Sequence, residues 1–263
     1  MLWSTVMLSK LLKNNMSLTI IKLGGSVITN KQVAGEVNSA NIERIAGIIS
    51  KYSKDPMIII HGAGSCGHHE AKEFGLKDGI NKDNVIGVYK THKVVSKLND
   101  YIVSKLNNAG ICAIGVHPFD FLLSENGRIK IFEISHIKKM IEIGIIPVLH
   151  GDVVMDNQKG VSIISGDQLV LWFARELKAN RVGLATDVSG VLSVDGVIPK
   201  INRDNINQIK IGNSSNIDVT GGMAGKVNEL LGLSDSGICS SIFHIDMLDR
   251  FLSNKDHKGT DVC

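Results

Sequence analysis

Short runs of uninterrupted apolar residues punctuate the chain, and each closes on glycine or a polar cluster. Leu18–Leu23 runs into Gly24-Gly25, Met57–Ile60 into His61-Gly62-Ala63-Gly64, and Ile145–Leu149 into His150-Gly151-Asp152. Runs this short, apolar at consecutive positions and rich in isoleucine, predict strands buried on both faces. Ile111–Val116, Arg181–Ala185 and Ile238–Ile245 have the same character. Between the runs the apolar spacing lengthens to that of a helix. Ile42, Ile45, Ala46 and Ile49 share one face behind a cap at Asn38 or Ser39. Val94, Val95, Leu98, Tyr101, Ile102 and Leu106 share another over Thr91–Asn108, which Gly110 ends. Ser135 caps a shorter helix ending at Gly144, Ser165-Gly166-Asp167 opens one carrying Leu169, Val170 and Phe173, and Gly221-Gly222 opens one near Lys226. Gly127 and the pattern of Ile129–Ile134 suggest a hairpin. Strand and helix alternate almost throughout, which predicts an α/β protein: a three-layer αβα sandwich around a mainly parallel open sheet. Ligands of such sheets gather at the carboxyl ends of the strands, which is where these glycines fall.

Composition narrows the picture. Aromatic residues are scarce at 5%, and 27 of the 263 residues are glycine, so the core is aliphatic and the turns are many. A net charge of +3 argues against nucleic acid as a partner. No apolar run reaches the roughly 18 residues of a membrane span. Cys66, Cys112, Cys239 and Cys263 form no C-x-x-C pair, which excludes a zinc knuckle or dithiol motif, and they read as reduced thiols of a cytoplasmic protein. Residues 1–16 read as an N-terminal extension, with Met16 as an alternative start: Lys10 and Lys13 follow the apolar stretch, the reverse of a signal peptide.

The candidate chemistry sits at the strand ends. In Lys22-Leu23-Gly24-Gly25-Ser26, glycines let backbone N–H groups approach an anion and the lysine adds a mobile charge; the plainer reading is a strand-to-helix turn with a surface lysine. Three glycines in His61–Gly67 precede a helix, a natural anion site. This stretch also matches G-x-G-x-x-G, but it is not in the first βαβ unit, and no acidic residue ends Ile111–Val116 to hold a ribose. His68 would stand at the rim of that site and can donate to a phosphate oxygen; His69 competes with it. In Asp218–Lys226 glycines again open a helix, with Lys226 in its first turns, unfavourable there unless a polyphosphate is bound. Asp167 is either a helix N-cap or the carboxylate that holds the lysines in place, and Asp187 is either a turn residue or part of a site.

These pieces, in this order over Leu18–Val262, resemble the amino acid kinase superfamily. Within it, Ile21–Lys31 and Gly64-Ser65-Cys66-Gly67-His68 look like the isopentenyl phosphate kinases, whose glycine loop usually reads G-S-F-G-H; here Cys66 replaces the aromatic and Ala63 stands where glycine is common. The resemblance implies a kinase that phosphorylates isopentenyl phosphate with ATP and Mg²⁺, with no protein ligand assigned to the metal. It implies a domain over residues 17–263, the acceptor bound by residues 17–160 and the nucleotide by 161–263, and a homodimer. Lys22, Lys31, His68 and Asp167 would be catalytic. Lys22, Gly24, Gly25, Ser26, Gly64, Asp187, Gly222 and Lys226 would bind nucleotide, and Ala63, Gly64, His68 and Gly151 would bind the acceptor. Val85, Ile86, Val88 and Val94 would wall the pocket of an apolar tail, unless they are core. The alternatives are a fosfomycin-like phosphonate kinase and a nucleotide-binding regulator without catalysis. Gly62–Lys90 holds no arginine for an α-carboxylate, which disfavours amino acid acceptors.

Overall fold

The computed structural model describes residues 17–30, 35–194, 196–206 and 222–263. Its strands are β1 (Thr19–Leu23), β2 (Met57–His61), β3 (Ala113–Gly115), β4 (Leu122–Glu125), β5 (Arg128–Phe132), β6 (Ile146–His150), β7 (Asp152–Asp156), β8 (Gly160–Ile164), β9 (Arg181–Thr186), β10 (Leu192–Ser193), β11 (Gly196–Val197), β12 (Lys200–Ile201), β13 (Ser240–His244) and β14 (Thr260–Val262). The helices that matter for the site are α1 (Gly25–Ile28), α2 (Ser39–Ser50), α3 (Gly64–Glu73), α4 (Val85–Asn108), α5 (Ser135–Glu142), α6 (Gly166–Glu176) and α7 (Gly222–Ser234).

One eight-stranded sheet in the order β12-β14-β13-β9-β1-β2-β6-β3 forms the middle layer. All its pairings are parallel except β13 with β14, so the expected sandwich is present. Strand alternation sorts its side chains between two cores. Ile20, Ile58, Ile60 and Leu184 face α6 and α7, packing on Leu169, Phe173 and Leu231. Ile21, Leu23, Ile59 and Ala185 face α2 and α4, packing on Ile45, Ile49, Leu98 and Ile102. Both cores are mostly aliphatic, as the scarcity of aromatics requires.

Asn38 is the cap of α2 and accepts from the Asn41 N–H at 3.2 Å. Helix α4 begins at Val85, six residues before the predicted start, and in its first turn Gly87 sits buried against Phe74, where any Cβ would meet Phe74 carbons at 2.4 Å. Ser135 is the first residue of α5 rather than its cap; Glu133 accepts from the Ser135 N–H at 2.7 Å. The hairpin at Gly127 is β4–β5, turning through Asn126 and Gly127 at positive φ. It belongs to a second sheet, β5-β4-β7-β8, that the sequence reading did not separate.

The cysteine expectation needs correction. Cys239 and Cys263 form a disulfide with Cα atoms 4.6 Å apart. They flank Ser240 and Val262, which are register partners on antiparallel β13 and β14, so the fold juxtaposes two residues far apart in sequence. Cys112 is an exposed free thiol. Among the described residues, no helix is long and apolar enough to cross a membrane.

Candidate active site

The site begins with four strand ends side by side. The Gly24 N–H donates to Ala185 O at 2.9 Å, the Gly62 N–H to Leu23 O at 3.1 Å, and the Gly151 N–H to His61 O at 3.0 Å. Each loop thus leaves its strand tied to its neighbour, and the loops stack closely. A Cβ on Gly62 would sit 3.0 Å from the Gly25 nitrogen, and Gly64 has φ +65° with Thr29 filling the space where its side chain would go. Thr29 joins the two glycine loops: its hydroxyl donates to Gly25 O at 2.9 Å and accepts from the Ser65 N–H at 3.0 Å.

Above the strand ends lies a cleft of about 630 Å³. Lys22 shares a face of β1 with Ile20, so it points toward α6 rather than α2. It is 6% exposed, and its Nζ lies 2.5 Å from Asp167 Oδ1. Lys226 comes from the opening turns of α7, and its Nζ is 3.9 Å from the other oxygen, Asp167 Oδ2. Asp167 is not the helix cap; Ser165 takes that role, accepting from the Gln168 N–H at 3.2 Å. The aspartate is therefore placed between two ammonium groups from separate elements. The N-termini of α3 and α6 open on the same cleft through Gly64 and Gly166, adding the positive ends of two helix dipoles.

Most of the sequence candidates meet here. Gly24, Gly25, Ser26, Ala63, Gly64, His68, Gly151 and Asp187 line the cleft with Lys22, Asp167 and Lys226. Gly222 opens α7, whose Met223 and Lys226 line it. Lys31 and Gly221 lie outside the described residues. Of the two adjacent histidines, His68 is on the cleft; His69 is not, and its Nδ1 stands 3.7 Å from Glu73. The predicted apolar walls are misplaced. Val85 and Ile86 are exposed at 55% and 53%, Val88 packs beside a small separate cluster, and Val94 does not reach the cleft. Helix α4 presents Thr91 and Val95 instead, facing Ala71 and Ile163. Val95 had been read as part of the apolar face of this helix rather than as a wall of the cleft.

The sequence reading also missed Thr29, Thr91 and Asp152. Asp152 is 2% exposed and accepts from His92 Nδ1 at 2.9 Å. That hydrogen bond raises the His92 imidazole, while burial raises the Asp152 carboxyl. A polar residue directly after the apolar run and Gly151 was the available signal. No arginine lines the cleft among the described residues.

Comparison with known proteins places this arrangement. The amino acid kinase family model matches residues 17–244. The isopentenyl phosphate kinase of Methanothermobacter thermautotrophicus is 36% identical, over 92% of this chain and 98% of its own. That of Methanocaldococcus jannaschii is 38% identical, over 80% of this chain and 85% of its own. The chain belongs to the amino acid kinase family, on its isopentenyl phosphate kinase branch. A crystal structure of an isopentenyl phosphate kinase, 34% identical, superposes with a TM-score of 0.81 over 93% of this chain and 99% of its own. A carbamate kinase from Giardia lamblia, 14% identical with a TM-score of 0.67, shares the fold alone. For a member of this family, lysines, glycine loops and helix N-termini around one cleft are equipment for handling phosphate.

Proposed function

We propose that this chain transfers the γ-phosphoryl group of ATP to isopentenyl phosphate, giving ADP and isopentenyl diphosphate. The observation that carries the reading is the single cleft in which His68, on the glycine loop, shares a cavity with Lys22 and Lys226 held on Asp167. Its relatives named isopentenyl phosphate kinase span nearly the whole chain.

The chemistry asks little of a general base, since a phosphate monoester is already a nucleophile near neutral pH. The barrier is repulsion between two anions, and catalysis rests on positioning and charge neutralisation. We assign Lys22, Gly24, Gly25, Ser26, Gly64, Asp187, Gly222 and Lys226 to the nucleotide, and Ala63, Gly64, His68 and Gly151 to the acceptor phosphate. Lys31 belongs with the transferred group. Asp167 sets the distance between the two lysines. The acceptor lies on the side of residues 17–160 and the nucleotide on that of 161–263.

Mg²⁺ fits as a cation carried by the nucleotide, where it neutralises part of the phosphate charge. Asp167 is already engaged with two lysines, and the one acid–histidine cluster of ligand spacing among the described residues, His69 with Glu70 and Glu73, lies away from the cleft. Asp187 lines the cleft on the nucleotide side.

A coupled assay of ADP release tests the reading, comparing isopentenyl phosphate with fosfomycin. Turnover of the isoprenoid is expected; none, with turnover of the phosphonate, moves the chain to the rival kinase class. A cytoplasmic homodimer completes the proposal. Light scattering at twice the 28.4 kDa chain mass is the expected result.

A further inference from the structure

Two histidines that the mechanism does not use lie directly beneath the acceptor loop. His61 ends β2 and His150 ends β6, and they are register partners on adjacent parallel strands. Both are fully buried, with ring centroids 5.5 Å apart and planes 26° from parallel. Each makes the same local contact. His61 Nδ1 is 2.8 Å from the carbonyl of Gly62, and His150 Nδ1 is 3.1 Å from the carbonyl of Gly151. A carbonyl only accepts, so in both rings the Nδ1 nitrogen carries the proton.

The His117 contact fits that tautomer directly, and the Asn99 contact fits it with the amide turned. His150 Nε2 is then an acceptor, and His117 Nδ1 stands 2.8 Å away to donate to it. His61 Nε2 stands 3.1 Å from Asn99 Oδ1, an oxygen that cannot donate to it. Turning that amide so that Nδ2 meets the ring satisfies His61, and it partners a nitrogen that is otherwise buried without one. Burial pushes the His61 imidazole down to about 4 and the His150 imidazole in the same direction, so both rings are neutral near pH 7.

We propose that His61 and His150 are positioning residues for the acceptor: a pair of neutral imidazole donors that hold the Gly62 and Gly151 carbonyls toward the core. In a trans peptide the C=O and N–H point opposite ways, so fixing the Gly62 carbonyl inward turns the Ala63 N–H outward, to the cleft. Gly151 is the neighbouring wall; a Cβ there would lie 3.7 Å from the Ala63 nitrogen. The two clamps thus fix the direction of one amide and the surface beside it. The identity of the anion rests on the kinase reading above; the clamp geometry does not.

Two measurements on the full chain separate those claims. Nitrogen NMR of labelled imidazoles in the wild-type protein near neutral pH, assigned with His61→Asn and His150→Asn, reads the tautomers without any substrate. Nδ1–H is expected in both rings, and Nε2–H in either overturns the clamp. Kinetics with isopentenyl phosphate and MgATP then compares His61→Leu, which has no donor, with His61→Asn, whose amide places a donor close to the Nδ1 position. Loss of one buried hydrogen bond predicts an acceptor KM raised about tenfold in the leucine variant, an ATP KM within about twofold, and recovery in the asparagine variant. An unchanged acceptor KM, or both constants rising together without rescue, sinks the proposal. Should His61→Leu fail to fold, His150→Leu and His150→Asn give the same comparison. A wild-type enzyme inactive on isopentenyl phosphate but with both Nδ1 protons in place would refute the substrate and leave the clamp standing.

Discussion

Single side chains decide whether the cleft can bring two anions together. His68 stands at its rim on α3, and its proposed work is to stabilise charge on the acceptor side during transfer. His68→Ala should lower kcat by ~10²-fold while leaving the ATP KM nearly unchanged, the pattern of a lost transition-state donor. An unaltered kcat would move the role elsewhere, and His69, facing Glu73, is poorly placed to take it. Asp167 acts differently, because it touches both lysines. Asp167→Ala removes the carboxylate that buried Lys22 shares with Lys226. Breaking a buried ion pair from one side costs about 3–5 kcal/mol. Denaturation should show a loss of that order together with a raised ATP KM; a variant of normal stability would mean the aspartate does not hold the pair. These two residues were legible from motif and order. Thr29 and Asp152 were not, since a threonine that joins two loops and a carboxylate buried against a distant histidine are defined by contacts across the chain.

Secondary elements were readable where their period was undisturbed. The strand ends at Leu23, His61, His150 and Thr186 follow from apolar runs stopped by polar residues and glycine, and those ends carry the site. The second sheet was not readable. Of its strands β4 alternates buried and partly exposed positions and β5 is mostly exposed, and the four are joined by a polar side chain that looks ordinary in the sequence. Asp156 receives the N–H groups of Asn126, Gly127, Gln158 and Lys159 and the hydroxyls of Ser124 and Ser162, all at 2.8–3.1 Å. Burial opposes its ionisation, but these donors outweigh burial and hold the carboxyl well below the usual range. It therefore joins the β4–β5 turn to the β7–β8 turn. Asp156→Ala orphans several donors at once and should cost on the order of 3–5 kcal/mol in urea unfolding. Because its folded value is depressed, the stability it supplies is present above the unfolded value near 3.8 and is lost as pH falls below it. A loss under about 1 kcal/mol would show that water replaces the carboxylate without penalty.

On the scale of the molecule, the same two histidines that underlie the acceptor loop shape the response to acid. An unfolded chain protonates an imidazole near 6.5, whereas folded His61 resists until about 4, because its ring is buried. Its folded pKa is lowered, so the unfolded state binds the proton first, and stability falls as pH drops from about 6.5 to about 4. At 1.36 kcal/mol per unit, His61 alone accounts for about 3 kcal/mol across that window, and His150 works in the same direction. His92 opposes them: the Asp152 hydrogen bond raises its imidazole, so its contribution is present below the unfolded value and is lost as pH rises through the raised one. Two fully buried rings against one half-buried ring leave the acid side the weaker. The depressed carboxylates, Asp156, Asp249 and Asp261 among them, add losses only below the unfolded carboxylate value near 3.8, whereas buried Asp152, whose carboxyl is raised, works against the two histidines in the interval above it. Urea unfolding at steps through that interval should show falling stability in the wild type and a flatter profile in His61→Asn/His150→Asn, whose side chains do not titrate. Parallel profiles would mean that neither ring is held neutral by the fold. The sheet register that pairs the two histidines, set by parallel β2 and β6, would then place them together without making them acid-sensitive.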